Sequence, residues 1–157
     1  MDYSLRDYRP DDAAAMARLY YNSVRGLGPR AYSPEQVAVW SPAPAEPASV
    51  HARASDGRVT VIAADAEDRV AAYGDLEADG HIDHLYARPD AAGTGVAGRV
   101  LDELLARAAA AGMTRLYVEA SELARPLFAR KGFEVVARRD FELRGVMIHN
   151  YAMAKRL

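Results

Sequence analysis

The feature that most constrains this chain is a glycine-rich segment that joins a strand pattern to a helix pattern. Residues 90–101 read DAAGTGVAGRVL, with Gly93, Gly95 and Gly98 inside. They follow the apolar run HIDHLYA at residues 81–87 and precede apolar residues at helical spacing. Exposed N–H groups of a loop at a helix N-terminus, with the positive end of the helix dipole behind them, bind phosphate. The segment therefore predicts a phosphate-binding site between a strand and a helix.

One interpretation of this segment is the dinucleotide-binding turn G-x-G-x-x-G. Glu119 ends a predicted strand about 20 residues further on, where such folds place a ribose-binding carboxylate. However, the spacer RPDAA separates the preceding strand from Gly93, and an antiparallel meander precedes the segment. A chain of 157 residues also leaves little room for a doubly wound domain and a substrate domain. An oxidoreductase that binds NAD or FAD is therefore an alternative and not the main prediction.

Hydrophobic periodicity predicts the strands and helices of the first half of the chain. Residues 4–8 form a strand, and two or three helices follow, one of which has Ser33 as N-cap and Gln36 as its capping-box partner. The Pro-rich stretch SPAPAEPASV at residues 41–50 is expected to be an irregular surface connection. Three partly alternating apolar runs then predict an antiparallel meander, at residues 58–65, 69–78 and 81–87.

The second half is predicted to continue with a helix, a strand, a short helix and a final pair of strands. A stripe of apolar residues from Val96 to Ala108 marks an amphipathic helix that ends at Gly112. The run RLYVEA at residues 115–120 is a strand, and SELARPLFARKG at residues 121–132 is the short helix. The last two strands flank Gly145, where the chain turns.

Composition narrows the classes of function. Half of the residues are hydrophobic, which suits one globular domain. The absence of Cys excludes disulfides, thiolate metal clusters and an acyl-cysteine intermediate, and it favours a reducing compartment; we expect no metal site. The start MDYSLRDYRPDD resembles neither a signal segment nor a membrane span, so we expect a cytoplasmic protein. A net charge of −2 predicts neither nucleic acid nor membrane as partner and favours a small molecule.

The order and spacing of these motifs resemble the GNAT superfamily of N-acetyltransferases. The family's pyrophosphate loop reads Gln or Arg, two residues, Gly, one residue, then Gly or Ala; LYARPDAAGTGVAGRVL matches it at Gly95 and Ala97, while Ala92 replaces the Gln or Arg. VEASELARPLFARKGF resembles the family's next strand, short helix and Gly-Phe ending, and RGVMIHNYAM with EAS resembles the YafP-type branch. The resemblance implies a single domain, residues 1–157, of α/β (α+β) class. Its sheet would be mixed, mostly antiparallel and splayed at a central pair of parallel strands, with helices on both faces.

The resemblance also implies acetyl-CoA as the cosubstrate. The loop would hold its pyrophosphate, and the pantetheine arm would follow the main chain of the preceding strand. The implied cofactor-binding residues are Leu85, Tyr86, Ala87, Ala92, Gly93, Thr94, Gly95, Val96, Ala97, Gly98, Ser121 and Phe128. Arg88, Arg99 and Lys131 flank the loop and are candidates to pair with the phosphates.

The family reaction is the direct attack of an amine on the thioester in a ternary complex, which requires a proton acceptor and no nucleophilic side chain. Counting back from the loop motif gives His81 and Asp83 at positions where other members carry a Glu or a pair of His. Strand alternation places both on one face with Leu85 and Ala87, and places Ile82, His84 and Tyr86 on the other face. His84 is therefore expected to pack. Glu119 is a further candidate, as base or ribose ligand, and all three candidates have a structural alternative as a cap or a hydrogen-bond partner.

The group that protonates the leaving thiolate is missing from its usual position. Many members carry N-x-x-A-x-x-L-Y on the short helix, whereas the pattern here ends in Phe128, which has no proton to donate. Tyr117 or Tyr151 could replace it, or the thiolate could leave unassisted or through water. Because this tyrosine is missing, a non-catalytic acyl-CoA-binding module is an alternative to the enzyme.

Aromatic residues indicate what kind of amine accepts the acetyl group. The substrate side is expected to lie between the first two helices and the final strand pair. Residues 19–21, Tyr32 and Trp40 would line it, and they suit an apolar or aromatic small-molecule amine better than a polyamine. Members of the family often form dimers, so a homodimer is a further expectation.

Overall fold

The computed structural model describes residues 2–157 of the chain. The elements follow the predicted order of one strand, helices, three strands, helix, strand, helix and two strands. The strands are β1 (Ser4–Asp7), β2 (Val59–Ala64), β3 (Val70–Leu76), β4 (His81–Ala87), β5 (Arg115–Ala120), β6 (Glu134–Leu143) and β7 (Val146–Arg156). The α-helices are α1 (Ala13–Leu27), α2 (Pro34–Trp40), α3 (Pro47–Ala54), α4 (Val96–Ala110) and α5 (Arg125–Arg130).

All seven strands belong to one sheet, in the order β1-β2-β3-β4-β5-β7-β6. Neighbouring strands are antiparallel except β4 and β5, which are parallel. These two pair only at His81 with Tyr117 and at Ile82 with Val118, and beyond those residues they diverge. The predicted mixed sheet, with a splayed central parallel pair, is therefore confirmed.

Helices cover both faces of the sheet, as predicted. On one face, α4 buries its apolar stripe, including Val100 and Leu104, against residues such as Val61. On the other face, α1 and α3 pack through Met16 and Val50. Within the described residues, no helix has the length and apolar character needed to span a membrane.

The region between α1 and β2 confirms one local prediction and corrects another. Ser33 Oγ accepts a hydrogen bond from the Gln36 N–H at 3.2 Å, and Gln36 Oε1 accepts one from the Ser33 N–H at 2.9 Å, so the capping box is present. The Pro-rich stretch at residues 41–50 is not irregular throughout, because α3 begins at Pro47. Proline is favourable at a helix start, and burial of Val50 against α1 stabilises the turns that follow.

Candidate active site

The glycine-rich loop enters α4 in a conformation that leaves backbone donors unpaired. Gly93 and Gly95 have φ angles of +79° and +84°, where glycine is strongly favoured. A Cβ at either position would meet nothing within 4 Å, so conformation and not space requires glycine there. The first hydrogen bond of the helix runs from the Arg99 N–H to Gly95 O at 3.1 Å, and the N–H groups of residues 96–98 have no backbone acceptor among the described residues. They are available to an anion.

A groove of about 500 Å³ lies beside this helix N-terminus. The predicted loop residues that line it are Ala92, Gly93, Gly95, Val96, Ala97 and Gly98. Thr94 donates its hydroxyl hydrogen bond to Ala91 O instead, at 2.6 Å. The free donors, the dipole of a 15-residue helix and the open groove fit a pyrophosphate group.

Cationic side chains complete one wall of this groove. Arg99, Arg130 and Lys131 line it. Lys131 Nζ lies 2.8 Å from Asp102 Oδ1, at a side-chain exposure that leaves it reachable from solvent. Arg88, the third cation considered from the sequence, turns away and contacts Asp65 Oδ2 at 2.9 Å. Arg88 therefore lies outside this groove.

Two further cavities continue from the loop along the gap between β4 and β5. A groove of about 250 Å³ is lined by Leu85, Tyr86 and Ala87 and by the loop residues Ala92, Gly93 and Ala97. A cavity of about 130 Å³ follows it, deeper in the gap. The residues that line both are Trp40, Leu85, Tyr86, Ser121 and Ala124. Because β4 has no partner strand on its β5 side beyond Ile82, main-chain groups of residues 85–87 border this path without a strand beside them.

Phe128 and Ser121 lie at the β5 side of the path. Phe128 is 1% exposed, packs edge-on against Phe133 and contributes to the wall of the inner cavity. Ser121 Oγ accepts a hydrogen bond from the Ala124 N–H at 3.1 Å, ahead of α5. Both predicted cofactor-binding residues thus line the path, and Phe128 offers only a ring.

A β-bulge in β4 overturns the predicted alternation. Gly74 pairs with Leu85 and Leu76 with Ile82, so Asp83 and His84 together oppose the single residue Asp75. Ile82 and Leu85 therefore pack on the same side of the sheet, in the cluster that contacts α4. His84 packs on the same side as Tyr86, as expected, and it also contributes to the wall of the inner cavity, which the sequence did not indicate.

The bulge is stabilised by a buried ionic cluster. Asp75, 1% exposed, accepts a hydrogen bond from the His84 N–H at 2.7 Å through Oδ1. Arg58 Nη1 contacts Asp75 Oδ2 at 3.1 Å and Asp83 Oδ2 at 2.9 Å. His84 and Arg58 hold the pKa of Asp83 well below its ordinary value, against the opposite effect of burial. Asp83 lines the inner cavity as a firmly charged carboxylate.

The imidazole of His84 lies between the two carboxylates of this cluster. Its Nδ1 is 3.3 Å from Asp75 Oδ2 and 3.4 Å from Asp83 Oδ2. Burial lowers the pKa of His84, but the carboxylates outweigh burial and raise the pKa above its ordinary value. The ring is surrounded by Tyr20, Tyr73 and Tyr86.

His81 and Glu119 form a second pair, at the start of the gap. His81 Nδ1 contacts Glu77 Oε1 at 2.8 Å, and its Nε2 contacts Glu119 Oε1 at 3.1 Å. Burial lowers the pKa of His81, but the two glutamates more than offset it and the pKa is raised. Glu119 lines the inner cavity and His81 lies behind it, stacked on Tyr117. The structure thus joins two residues that the sequence singled out separately.

Tyr151 belongs to a third group, on the opposite wall. Its hydroxyl donates to Glu122 Oε2 at 2.8 Å, and His149 Nε2 lies 2.7 Å from the same oxygen. His149, Arg125 and Tyr151 together lower the pKa of Glu122 to about 2, against burial. Of these residues, His149 is the one that lines the cavity. Tyr117, the other tyrosine considered, binds Asp79, which raises the pKa of Tyr117 to about 12.

The rest of the cavity wall is mostly apolar. Tyr32 and Trp40 line it, as the sequence predicts, whereas Leu19 lies in the core and Tyr21 lies under Arg25. Five lining residues of β6 and β7 were missed: Phe141, Leu143, Ile148, His149 and Asn150. Only the alternation of the final strand pair could have suggested them, and that pattern does not show which face meets the gap.

Comparison with known proteins agrees with this geometry. A family model described as an acetyltransferase (GNAT) domain matches residues 29–155. The uncharacterized N-acetyltransferase YafP of Escherichia coli is 26% identical over 149 residues, which cover 95% of this chain and 93% of YafP.

Solved structures share the fold over the whole length. A GCN5-related N-acetyltransferase from Rhodopseudomonas palustris superposes with a TM-score of 0.90 at 34% identity, covering 100% of this chain and 97% of that protein. A phosphinothricin acetyltransferase from Sinorhizobium meliloti, in complex with acetyl-CoA, gives a TM-score of 0.80 at 23% identity and covers 100% of this chain and 89% of that one.

Proposed function

Since this chain belongs to the acetyltransferase (GNAT) family, we propose that it transfers the acetyl group of acetyl-CoA to the amine of a small molecule. The observation that carries this proposal is one continuous path along the gap between β4 and β5. It runs from the unpaired N–H groups of α4, through the groove of about 250 Å³, to the cavity of about 130 Å³. A phosphate site, a channel and an acceptor space follow one another in the order that acetyl-CoA and an amine require.

The loop and β4 bind the cosubstrate. The N–H groups of residues 96–98 and the turn at Gly93 and Gly95 hold the pyrophosphate, with Lys131 and Arg99 at the rim. The main chain of residues 85–87 holds the pantetheine arm, because β4 has no partner on that side. Bound acetyl-CoA supplies an acetyl group activated as a thioester. Ser121 and Phe128 border the path where it narrows, and they position the thioester end by contact.

Glu119 and His81 take the proton of the amine. The amine nitrogen forms a bond to the acetyl carbon, the carbon–sulfur bond breaks, one proton leaves the amine, and the departing thiolate takes up one proton. Glu119 reaches the cavity, and His81, whose pKa is raised, lies behind it with Nε2 at 3.1 Å from Glu119 Oε1. Glu77 orients the imidazole through Nδ1 at 2.8 Å. Asp83, paired with Arg58, is too weak a base for this step and attracts the ammonium form of the substrate.

His84 is the second candidate acceptor. It lines the cavity directly, and two carboxylates face its Nδ1, which favours a proton there and a lone pair on Nε2. Replacing each histidine in turn by Gln distinguishes the two assignments, because only the loss of the histidine that accepts the proton removes the increase of the rate with pH.

The leaving thiolate takes its proton from the hydrogen-bonded group of Tyr151, Glu122 and His149, of which His149 is the member that faces the path. The Tyr151 hydroxyl shares Glu122 Oε2 with His149, and His149 lines the cavity. This network stands in for the tyrosine that the family pattern would place at Phe128. Without this network, water protonates the thiolate after it leaves, because a thiol is acidic enough for its thiolate to be a leaving group near neutral pH.

Three further expectations stay proposals. We propose that residues 1–157 act as one domain, supported by the single sheet that includes strands from both ends of the described chain. A homodimer and a cytoplasmic location rest on the family resemblance and on the cysteine-free composition.

Thermal denaturation with acetyl-CoA, CoA and NAD tests the binding proposal, and thiol release with a panel of amines tests turnover. We expect both CoA species to raise the melting temperature, NAD to have no effect, and at least one amine to release thiol in step with acetylated product. Stabilisation without turnover of any amine would instead support the non-catalytic acyl-CoA-binding module. Failure of both CoA species to stabilise the protein would contradict the proposal altogether.

A further inference from the structure

The charges that line the inner cavity limit the amine that can enter it. The carboxylates of Asp83 and Glu119 line the wall, and no Lys or Arg among residues 2–157 does so. The groups that compensate these carboxylates lie behind them. Arg58 contacts Asp83 at 2.9 Å with a side chain only 7% exposed, and His81 contacts Glu119. The wall therefore attracts an ammonium group and, among the described residues, offers no Lys or Arg to pair with a carboxylate or phosphate of the acceptor.

The two histidines of the wall do not change this balance. His84 Nδ1 faces Asp75 and Asp83, and His149 Nε2 lies 2.7 Å from Glu122 Oε2. Each imidazole thus already faces a carboxylate of the protein. An acceptor carboxylate would have to compete with these carboxylates for the same imidazoles.

The opposite part of the wall presents apolar rings. The hydroxyl of Tyr32 donates to His149 O at 3.0 Å and accepts from the Glu122 N–H at 2.8 Å. Trp40 Nε1 donates to Tyr20 OH at 3.1 Å. Because these polar atoms are already paired, Tyr32 and Trp40 offer their ring surfaces to a ligand. Phe141, Leu143 and Ile148 continue that surface.

The volume of the inner cavity indicates the size of the group that lies inside it. It measures about 130 Å³, and an apolar cavity of about 150 Å³ holds one benzene molecule. One ring, or a branched alkyl group of similar size, fills such a space. Two fused rings or a long polyamine would extend beyond it.

We propose that the acceptor is a cationic primary amine that carries no carboxylate and bears one ring or a branched apolar group of that size, such as a phenylalkylamine. The proposal rests on the proposed acetyltransferase function and deepens it. The ammonium group enters toward Asp83 and Glu119, and the ring lies against Tyr32, Trp40 and Phe141.

Matched substrates test the charge requirement. 2-Phenylethylamine and L-phenylalanine share the ring and the amine and differ by the carboxylate, and L-phenylalaninamide keeps the bulk without the charge. We expect kcat/KM for 2-phenylethylamine to exceed that for L-phenylalanine by about 100-fold or more, because a buried unpaired carboxylate is costly. The amide should stay within about 10-fold of 2-phenylethylamine, since it adds bulk and polarity but no charge. Equal use of L-phenylalanine or spermidine would overturn the acceptor class and leave the acetyltransferase function standing; binding of acetyl-CoA without acetylation of any amine would overturn both.

A pair of variants on one strand tests the apolar contact. Phe141 lines the cavity, whereas Val135 lies on the same strand outside it and is 50% exposed. Phe141→Ala should lower kcat/KM for 2-phenylethylamine about 10-fold or more and leave that for ethylamine nearly unchanged. Val135→Ala should change neither value, and both variants should keep their affinity for acetyl-CoA. Equal losses for the two amines in Phe141→Ala would show that the ring does not bind there.

Discussion

Replacement of Gly95 by Ala separates the conformational role of the loop from its role in binding. Gly95 has a φ of +84° as N-cap of α4, and a Cβ there would meet nothing within 4 Å. The cost to stability is therefore conformational strain alone, about 1–2 kcal/mol. At roughly 2–4 °C per kcal/mol for a chain of this size, the melting temperature should fall by about 2–8 °C.

Gly112, just beyond the other end of α4, provides the matched control. Its φ is +75°, and a Cβ there also meets nothing within 4 Å. Gly112→Ala should lose a similar amount of stability. Only Gly95→Ala should raise KM for acetyl-CoA, by about 10- to 100-fold, which corresponds to one lost hydrogen bond to a charged group. Urea unfolding and steady-state kinetics measure the two effects, and equal KM values in the two variants would refute the assignment of this loop to the pyrophosphate.

Three other perturbations test the site. The kcat/KM should rise with pH, with a midpoint above the ordinary histidine pKa. His81→Gln should remove this rise and lower kcat about 100-fold, whereas His84→Gln should keep the rise; the reverse result would make His84 the proton acceptor. Arg58→Met should reduce the free energy of unfolding by about 3–5 kcal/mol, because it removes the arginine that pairs with the buried Asp75. A loss below about 1 kcal/mol in a urea titration would contradict this. The pKa of Glu122 is lowered to about 2 in the folded protein, so its ionic contacts stabilise the fold at pH values above its unfolded pKa. Glu122→Gln should therefore reduce the free energy of unfolding by about 1–2 kcal/mol at pH 7, a value that allows for partial solvent screening. This loss should disappear as the pH falls toward about 2, and a loss that does not change with pH would exclude the ionic contribution.

The order and type of the elements could be predicted from the sequence because each depends on local periodicity and local caps. The stripe from Val96 to Ala108 predicted α4, and Ser33 with Gln36 predicted the start of α2. The central parallel pair came instead from the family resemblance, since periodicity does not determine which strands are neighbours. The position of α3 was not predicted, because the stabilising burial of Val50 is a contact with a distant helix.

The candidate site was predictable where it depends on backbone and not where it depends on register. Gly93 and Gly95 indicated the loop, because positive φ angles select glycine. The alternation of β4 was not fully predictable, because a bulge opposite Asp75 shifts its phase by one residue and brings Ile82 to the same side as Leu85. The contacts of Phe141 and Ile148 with the cavity depend on how far the last two strands reach across the gap.

The sequence by itself determined the glycine-rich loop before α4, the series of strands and helices and the family, since these follow from short-range patterns and from motifs in order. Only the tertiary structure decided which charged groups meet. It joined His81 to Glu119, enclosed His84 between Asp75 and Asp83, and left the inner cavity without a lining Lys or Arg among residues 2–157. These facts depend on the register of β4, on its divergence from β5 and on the packing of the final hairpin, each of which is set by contacts between residues distant in the chain.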